Sequence, residues 1–212
     1  MAIFQGAIGS IFGRTNPGNT GTNPNVRQGF DASLVTMDAH GRYQEAVQRG
    51  SVYVASNQAA QALSTALSTT QTGFTLTNPA GSNVNLVVLD AVIALATAPA
   101  GISDLVWAAN VNTVATAVTQ TTALTVRNAL LGSSLTGAGL AASAVTLPAA
   151  PVVVRPVGGG PVATGSVTSP FIRDEIAGLL VLTPGTALSL SCLTTAISVL
   201  AAVTWEEVTT SA

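Results

Sequence analysis

The sequence predicts an all-β chain: a jelly-roll-like β-sandwich with an extended N-terminal arm and one short helix. Three observations predict it. Past residue 50, short runs rich in Val, Leu, Ala and Thr recur, each bounded by Gly, Pro or Asn, and eight or more such strands suit a sandwich or jelly roll. Before residue 40 the composition turns to loop chemistry, with too few large apolar residues to build a core alone. Between the two lies one stretch with helix start and stop signals. The expected organisation is an arm over residues 1–40 and a sandwich over residues 41–212.

The arm carries Gly9-Ser-Ile-Phe-Gly13 and Asn16-Pro-Gly-Asn-Thr-Gly-Thr-Asn-Pro-Asn25, which are turn-forming sequences. Ile3, Phe4, Ile8, Ile11 and Phe12 are apolar enough to dock on a neighbour, and they are the candidate interface residues. The alternative is an unstructured tail. In the helical stretch Asp38 can cap the N-terminus, Arg49 falls in the last turn and Gly50 follows, while Glu45 and Arg49 stand four apart.

Strands follow in order. Ser51–Asn57 is β-branched and aromatic, whereas Gln58–Thr70 fits either helix or strand. Gly73–Asn78 alternates and ends at the Asn78-Pro-Ala-Gly-Ser82 turn. Val84–Ala96 is one long strand or a strand pair, broken by Pro99-Ala-Gly101. Leu105–Val111 and Thr113–Val118 come next, and Leu124–Ala144 is a weak, Gly/Ser/Ala-rich signal. Val152–Arg155 is a short strand framed by Pro151 and Pro156, with Gly158-Gly-Gly160 a flexible excursion. Gly178–Leu182, the Thr183–Thr186 turn, Ala187–Leu193 and Ile197–Val208 close the fold. The last run would make a poor exposed edge, so it must be paired or covered.

Charge then narrows the function. Seven basic and nine acidic residues serve a chain of 212, and lysine is absent. Monomer surfaces are normally about a quarter to a third charged; at 8% this chain suits extensive contact with neighbours, where an unpaired charge is costly. The arginines are spread thinly, with none between Arg49 and Arg127, which argues against nucleic-acid binding. Mean hydropathy is +0.52, yet the most apolar stretch, Leu86–Ala98, contains Asp90 and falls short of the ~20 residues of a spanning helix. Nine aromatics are too few for barrel girdles, so no membrane association is expected. Met1-Ala-Ile-Phe-Gln5 lacks the basic start of a signal peptide, which implies synthesis in the cytoplasm.

Chemistry finds little support. One cysteine, Cys192, and one histidine, His40, cannot build a zinc site, and Cys192 reads as a small buried hydrophobe. Asp90, Asp104, Asp174-Glu175 and Glu206-Glu207 are the candidate carboxylates for glycosidase work. Adjacent strand residues point to opposite faces, so Glu206 and Glu207 cannot share one substrate; Asp174 and Glu175 beside Arg173 read as an exposed, locally paired loop. Gly158-Gly-Gly160 lacks the Lys-Ser/Thr of a phosphate loop. Trp107 and Trp205 read as core residues with the indole N–H bonded to backbone. No catalytic residue, cofactor or metal is expected, and the chain is not expected to be an enzyme.

The decapeptide Gly41-Arg-Tyr-Gln-Glu-Ala-Val-Gln-Arg-Gly50, the segments Gly73–Ser82 and Asn85–Leu89, and the ending Leu182-Thr-Pro-Gly-Thr186 with Val203-Thr-Trp-Glu-Glu207 carry a resemblance. Over roughly residues 41–208 the chain resembles small structural proteins of tailed bacteriophages. The resemblance implies a virion component: a capsid decoration (cement) protein, or else a fibre or baseplate module that binds a receptor or glycan. It implies a homo-oligomer, with a trimer expected, partnered by the major capsid protein or other virion proteins. It brings no catalytic residues.

Overall fold

The computed structural model describes residues 41–97, 101, 103–110, 118–160 and 171–210. The expected arm, Ile3, Phe4, Ile8, Ile11 and Phe12 within it, Asp38, His40 and the expected Thr113–Val118 strand (its last residue apart) lie outside these.

One short helix, α1 (Gln44–Gln48), precedes the strands. It starts after Tyr43, which makes no side-chain cap, and Glu45 meets Arg49 at 3.4 Å as the i,i+4 spacing foretells. Gly50 then adopts φ +75°, a left-handed value that glycine adopts at little steric cost. The strands are β1 (Val52–Ser56), β2 (Gln61–Ala62), β3 (Thr70–Thr77), β4 (Val84–Leu95), β5 (Ser103–Asn110), β6 (Thr119–Leu124), β7 (Val126–Asn128), β8 (Leu140–Thr146), β9 (Val152–Gly160), β10 (Phe171–Asp174), β11 (Leu180–Leu182), β12 (Ala187–Cys192) and β13 (Ser198–Thr209).

All described pairings are antiparallel and fall into two sheets. The first runs β10-β4-β13-β1-β7, with β11 also on β4 and β2 also on β13. The second runs β6-β8-β3-β12-β5-β9. Leaving out β2 and the β6–β8 insertion and taking β10 with β11 as one, eight strands remain. In chain order the first sheet reads one-eight-three-six and the second two-seven-four-five. That interleaving of two Greek keys is a jelly roll. The insertion widens both sheets on one side: β7 extends the first beyond β1, and β8 and β6 extend the second beyond β3.

The core lies between the sheets. Phe74, Leu76, Leu105, Trp107, Leu188 and Leu190 from one side meet Leu86, Ile93, Val199, Val203 and Trp205 from the other, all fully or nearly fully buried. Alternation explains the split: Val199, Ala201, Val203 and Trp205 point inward while Leu200, Ala202 and Thr204 point out. In β12 both faces are buried, because Ala187, Ser189 and Ser191 on its outward side are as inaccessible as Leu188, Leu190 and Cys192. Both outward serines are satisfied side by side, Ser189 with Thr75 at 2.9 Å and Ser191 donating to Gln71 at 2.9 Å.

The structure decides several readings that the sequence left open and corrects others. The Gln58–Thr70 stretch is neither helix nor a full strand: only β2 and the first residue of β3 are strand, and turns separate them. Val84–Ala96 is a single strand whose register to β13 shifts between Thr204 and Trp205, leaving Leu89 as the extra residue. β9 runs through Pro156 and the glycines to Gly160 because it is an edge strand; Val106 pairs with Pro156 across one of two register shifts. The final run needs no second subunit to cover it, since β13 sits between β4 and β1.

Candidate interaction site

The loop between β7 and β8, residues 129–139, is held at both ends by side chains from the first sheet. Asn128 donates from Nδ2 to the Gly50 carbonyl at 2.7 Å, and its Oδ1 accepts from the Leu130 amide at 2.8 Å. At the far end the Glu207 carboxylate accepts the backbone N–H groups of Ala138 and Gly139, both at 2.9 Å, and the Trp205 indole N–H at 3.3 Å. Alternation along β13 places Glu207 on the inward side, beyond Trp205, whose ring stacks on Tyr53 with centroids 6.4 Å apart. Burial first, and then the Glu207 charge, push the Tyr53 hydroxyl up from its ordinary pKa, so it stays a proton donor toward the Thr136 carbonyl. A Cβ at Gly139 would meet Leu86 Cδ1 and the Trp205 indole at 3.0 Å, so the loop approaches the core closely here and a larger residue would push these neighbours aside by a few tenths of an ångström.

What the loop presents is apolar. Leu131 is 82% exposed, and Leu130, Leu135 and Leu140 are exposed beside it in a stretch without a charged residue. On the opposite edge of the sandwich a cleft of about 270 Å³ opens between the sheets. Val154 of β9, Ala109 and Asn110 of β5, Leu180, Val181 and Leu182 of β11, and Thr186, Ala187 and Leu188 line it. None of its described lining residues is charged.

The carboxylates singled out from the sequence are not gathered. Asp90 and Glu206 share the outward face of the first sheet, where Asp90 is held by Arg173 at 3.1 Å and Glu206 accepts from the Ser51 hydroxyl at 3.2 Å. Glu207 faces inward and Asp104 is exposed on the second sheet. The expectation for Asp174 is corrected: it is buried, accepting from Trp107 Nε1–H at 3.0 Å and from Arg155 at 2.8 Å. This pair ties β10 of one sheet to β5 and β9 of the other. Glu175 is exposed and pairs with Arg42.

Both tryptophans are fully buried, as expected, but their N–H groups go to carboxylates rather than to backbone. Cys192 is buried, and burial pushes its thiol pKa up, away from nucleophile character. Among the described residues no three His, Cys, Asp or Glu side chains cluster as a metal site would require, and no helix is long and apolar enough to cross a membrane. The described surface thus presents an apolar loop and a cleft lined by uncharged residues. The exposed leucines went unnoticed in the sequence because Leu124–Ala144 shows no periodicity; the run Ala129-Leu-Leu-Gly-Ser-Ser-Leu135, apolar yet turn-rich, was the available signal. Comparison with protein-family models, curated proteins and solved structures found no match for this chain.

Proposed function

We propose that this chain is a structural protein of a tailed-phage virion, a decoration or cement subunit that self-associates, with a trimer expected, and stabilises the head. The observation that carries the proposal is a set of exposed leucines in a loop tethered by hydrogen bonds to Glu207, on a charge-poor jelly roll. Ordering such a loop in advance lowers the entropy lost when a partner covers it. The resemblance over residues 41–208 supplies the virion assignment. In this reading the arm clasps the major capsid protein, and Ile3, Phe4, Ile8, Ile11 and Phe12 seat in its pockets, offsetting the roughly 1–2 kcal/mol per residue that ordering costs.

The alternative, a fibre or baseplate module that binds a glycan or receptor, calls for exposed aromatics. Trp107 and Trp205 are both inaccessible, so that reading draws no support from them.

The test is attachment to particles. Purified heads stripped of the protein are to rebind the full chain to saturation, and a variant lacking residues 1–30 is to bind more weakly while its thermal unfolding stays unchanged. Full occupancy by the truncated variant would sink the clasp. Failure of the full chain to bind heads would sink the decoration role.

A further inference from the structure

We infer that the outward face of the second sheet is the seat of residues 111–117, which cross it over Ala108, Ser189, Thr75 and Ala142 and so close it to any partner. The inference goes beyond the proposed function and holds whatever the chain attaches to.

Strand direction requires the crossing. β5 pairs with β12, β12 with β3, β3 with β8 and β8 with β6, each time antiparallel, so β5 and β6 run parallel, four places apart. β5 ends at Asn110, on the ladder row of Ala187, Thr77 and Leu140. β6 opens at Thr119 against Thr146, at the other end of the sheet beside Thr70. Parallel neighbours in a sheet need a crossover, a chain that returns the length of the sheet over one of its faces. The inward face is filled by the core, where Leu105, Trp107, Leu188, Leu190 and Phe74 pack against the first sheet. That leaves the outward face. Residues 111–118 join Asn110 to Thr119, and a chain of that length reaches at most about 30 Å. Four strand spacings take about 19 Å of it before any descent along the strands, so a detour around the first sheet is out of reach.

The face bears the mark of a cover. On β13, in the middle of the first sheet, outward Leu200 is 41% exposed. On β12, in the middle of the second, outward Ser189 and Ser191 are at most 1% exposed. Val106 and Ala108 of β5, Thr75 of β3 and Ala142 of β8 are closed as well, at 3% or less. Residues 147–151, which lead from β8 to β9, supply one crossing: Leu147 is buried in a cluster with Ala142, Val145 and Ala187. Five residues are too few to cover outward side chains on four strands. Val118, just before β6, packs against the same cluster, so the longer connection arrives on this face.

The chemistry agrees. Val111-Asn-Thr-Val-Ala-Thr-Ala-Val118 contains no charge, glycine or proline, so it can lie extended without burying an unpaired ion. The face beneath is built of Ala, Ser, Thr and Val, whose small side chains let a chain lie close. Ser189 is satisfied by Thr75 and Ser191 by Gln71, so an apolar cover leaves neither pair without a partner.

The experiment uses the full-length wild-type chain, labelled at Ala, Val and Thr methyl groups. Nuclear Overhauser cross-peaks should join Val114 or Ala115 to Thr75 or Ala142. In an isotope-filtered spectrum of labelled and unlabelled chains mixed together, which reports contacts between copies, these peaks should be lost. No cross-peak from Val114 or Ala115 to either outward methyl overturns the inference. Cross-peaks that appear only between chains assign the cover to a neighbouring copy and overturn it too. A chemical readout stands beside this one: in a Cys192→Ala background, Ser189→Cys should react with a maleimide at least roughly 100-fold more slowly than Leu131→Cys, since reaction awaits local opening. Equal rates would mean an open face and would overturn the seat as well.

Discussion

Asp174 shows how a single residue acquires a role that its neighbours in sequence do not announce. Its carboxylate is almost wholly withdrawn from water, and its two partners come from the opposite sheet. A buried carboxylate is tolerable only when paired and hydrogen-bonded, and removing one partner leaves the desolvation cost exposed. Arg155→Ala should therefore lower unfolding free energy by about 3 kcal/mol, read from urea denaturation. A loss under about 1 kcal/mol would mean that water already screens the pair. The exposed pairs Arg42 with Glu175 and Arg49 with Glu45 should matter far less, since surface pairs are typically worth under about 1 kcal/mol. The local sequence Arg173-Asp-Glu175 suggests mutual pairing, but strand alternation sends Arg173 out to Asp90 and Asp174 in to Arg155.

Among elements, the strands were legible and the insertion was not. β1, β3, β4, β12 and β13 sit close to where Val, Leu and Thr runs bounded by Pro-Gly or Asn-Pro turns put them. Those runs carry inward-facing side chains, and burial on one face writes period two into a sequence. The Leu124–Ala144 region has no such record: β7 is three residues long, and β8 is built of Ala and Ser buried on both faces. The loop between them takes its shape from distant groups, chiefly Glu207, which no local pattern encodes. Of the candidate contact surface, then, the scarcity of charge was readable and the geometry was not. Glu207→Ala should cost about 2 kcal/mol, the worth of hydrogen bonds to a charged acceptor. It should also speed amide exchange at Ala138 and Gly139 well beyond that at the Asn128 end. Equal acceleration at both ends would indicate general destabilisation instead of a released tether.

At the scale of the whole molecule the scarce charge bears on the proposed self-association. A contact built on the exposed leucines of the charge-free 129–139 loop would have little Coulomb energy to screen. Its dissociation constant should change by less than about threefold between roughly 0.05 and 1 M NaCl, measured by sedimentation or light scattering. A steep weakening with salt would place the contact at the arginines instead. The two sheets leave two lateral edges, and here one edge bears the loop and the other the cleft.

The position of β13 has a consequence for biosynthesis. It is the last strand of the fold in chain order, yet it forms the middle of its sheet, between β1 and β4. Until Thr209 clears the ribosome, those two earlier strands have no shared partner and that layer cannot close. A polypeptide that stops short of β13 would leave β1 and β4 with unpaired edges facing each other across the gap, so the first sheet forms only once this last described strand has been made.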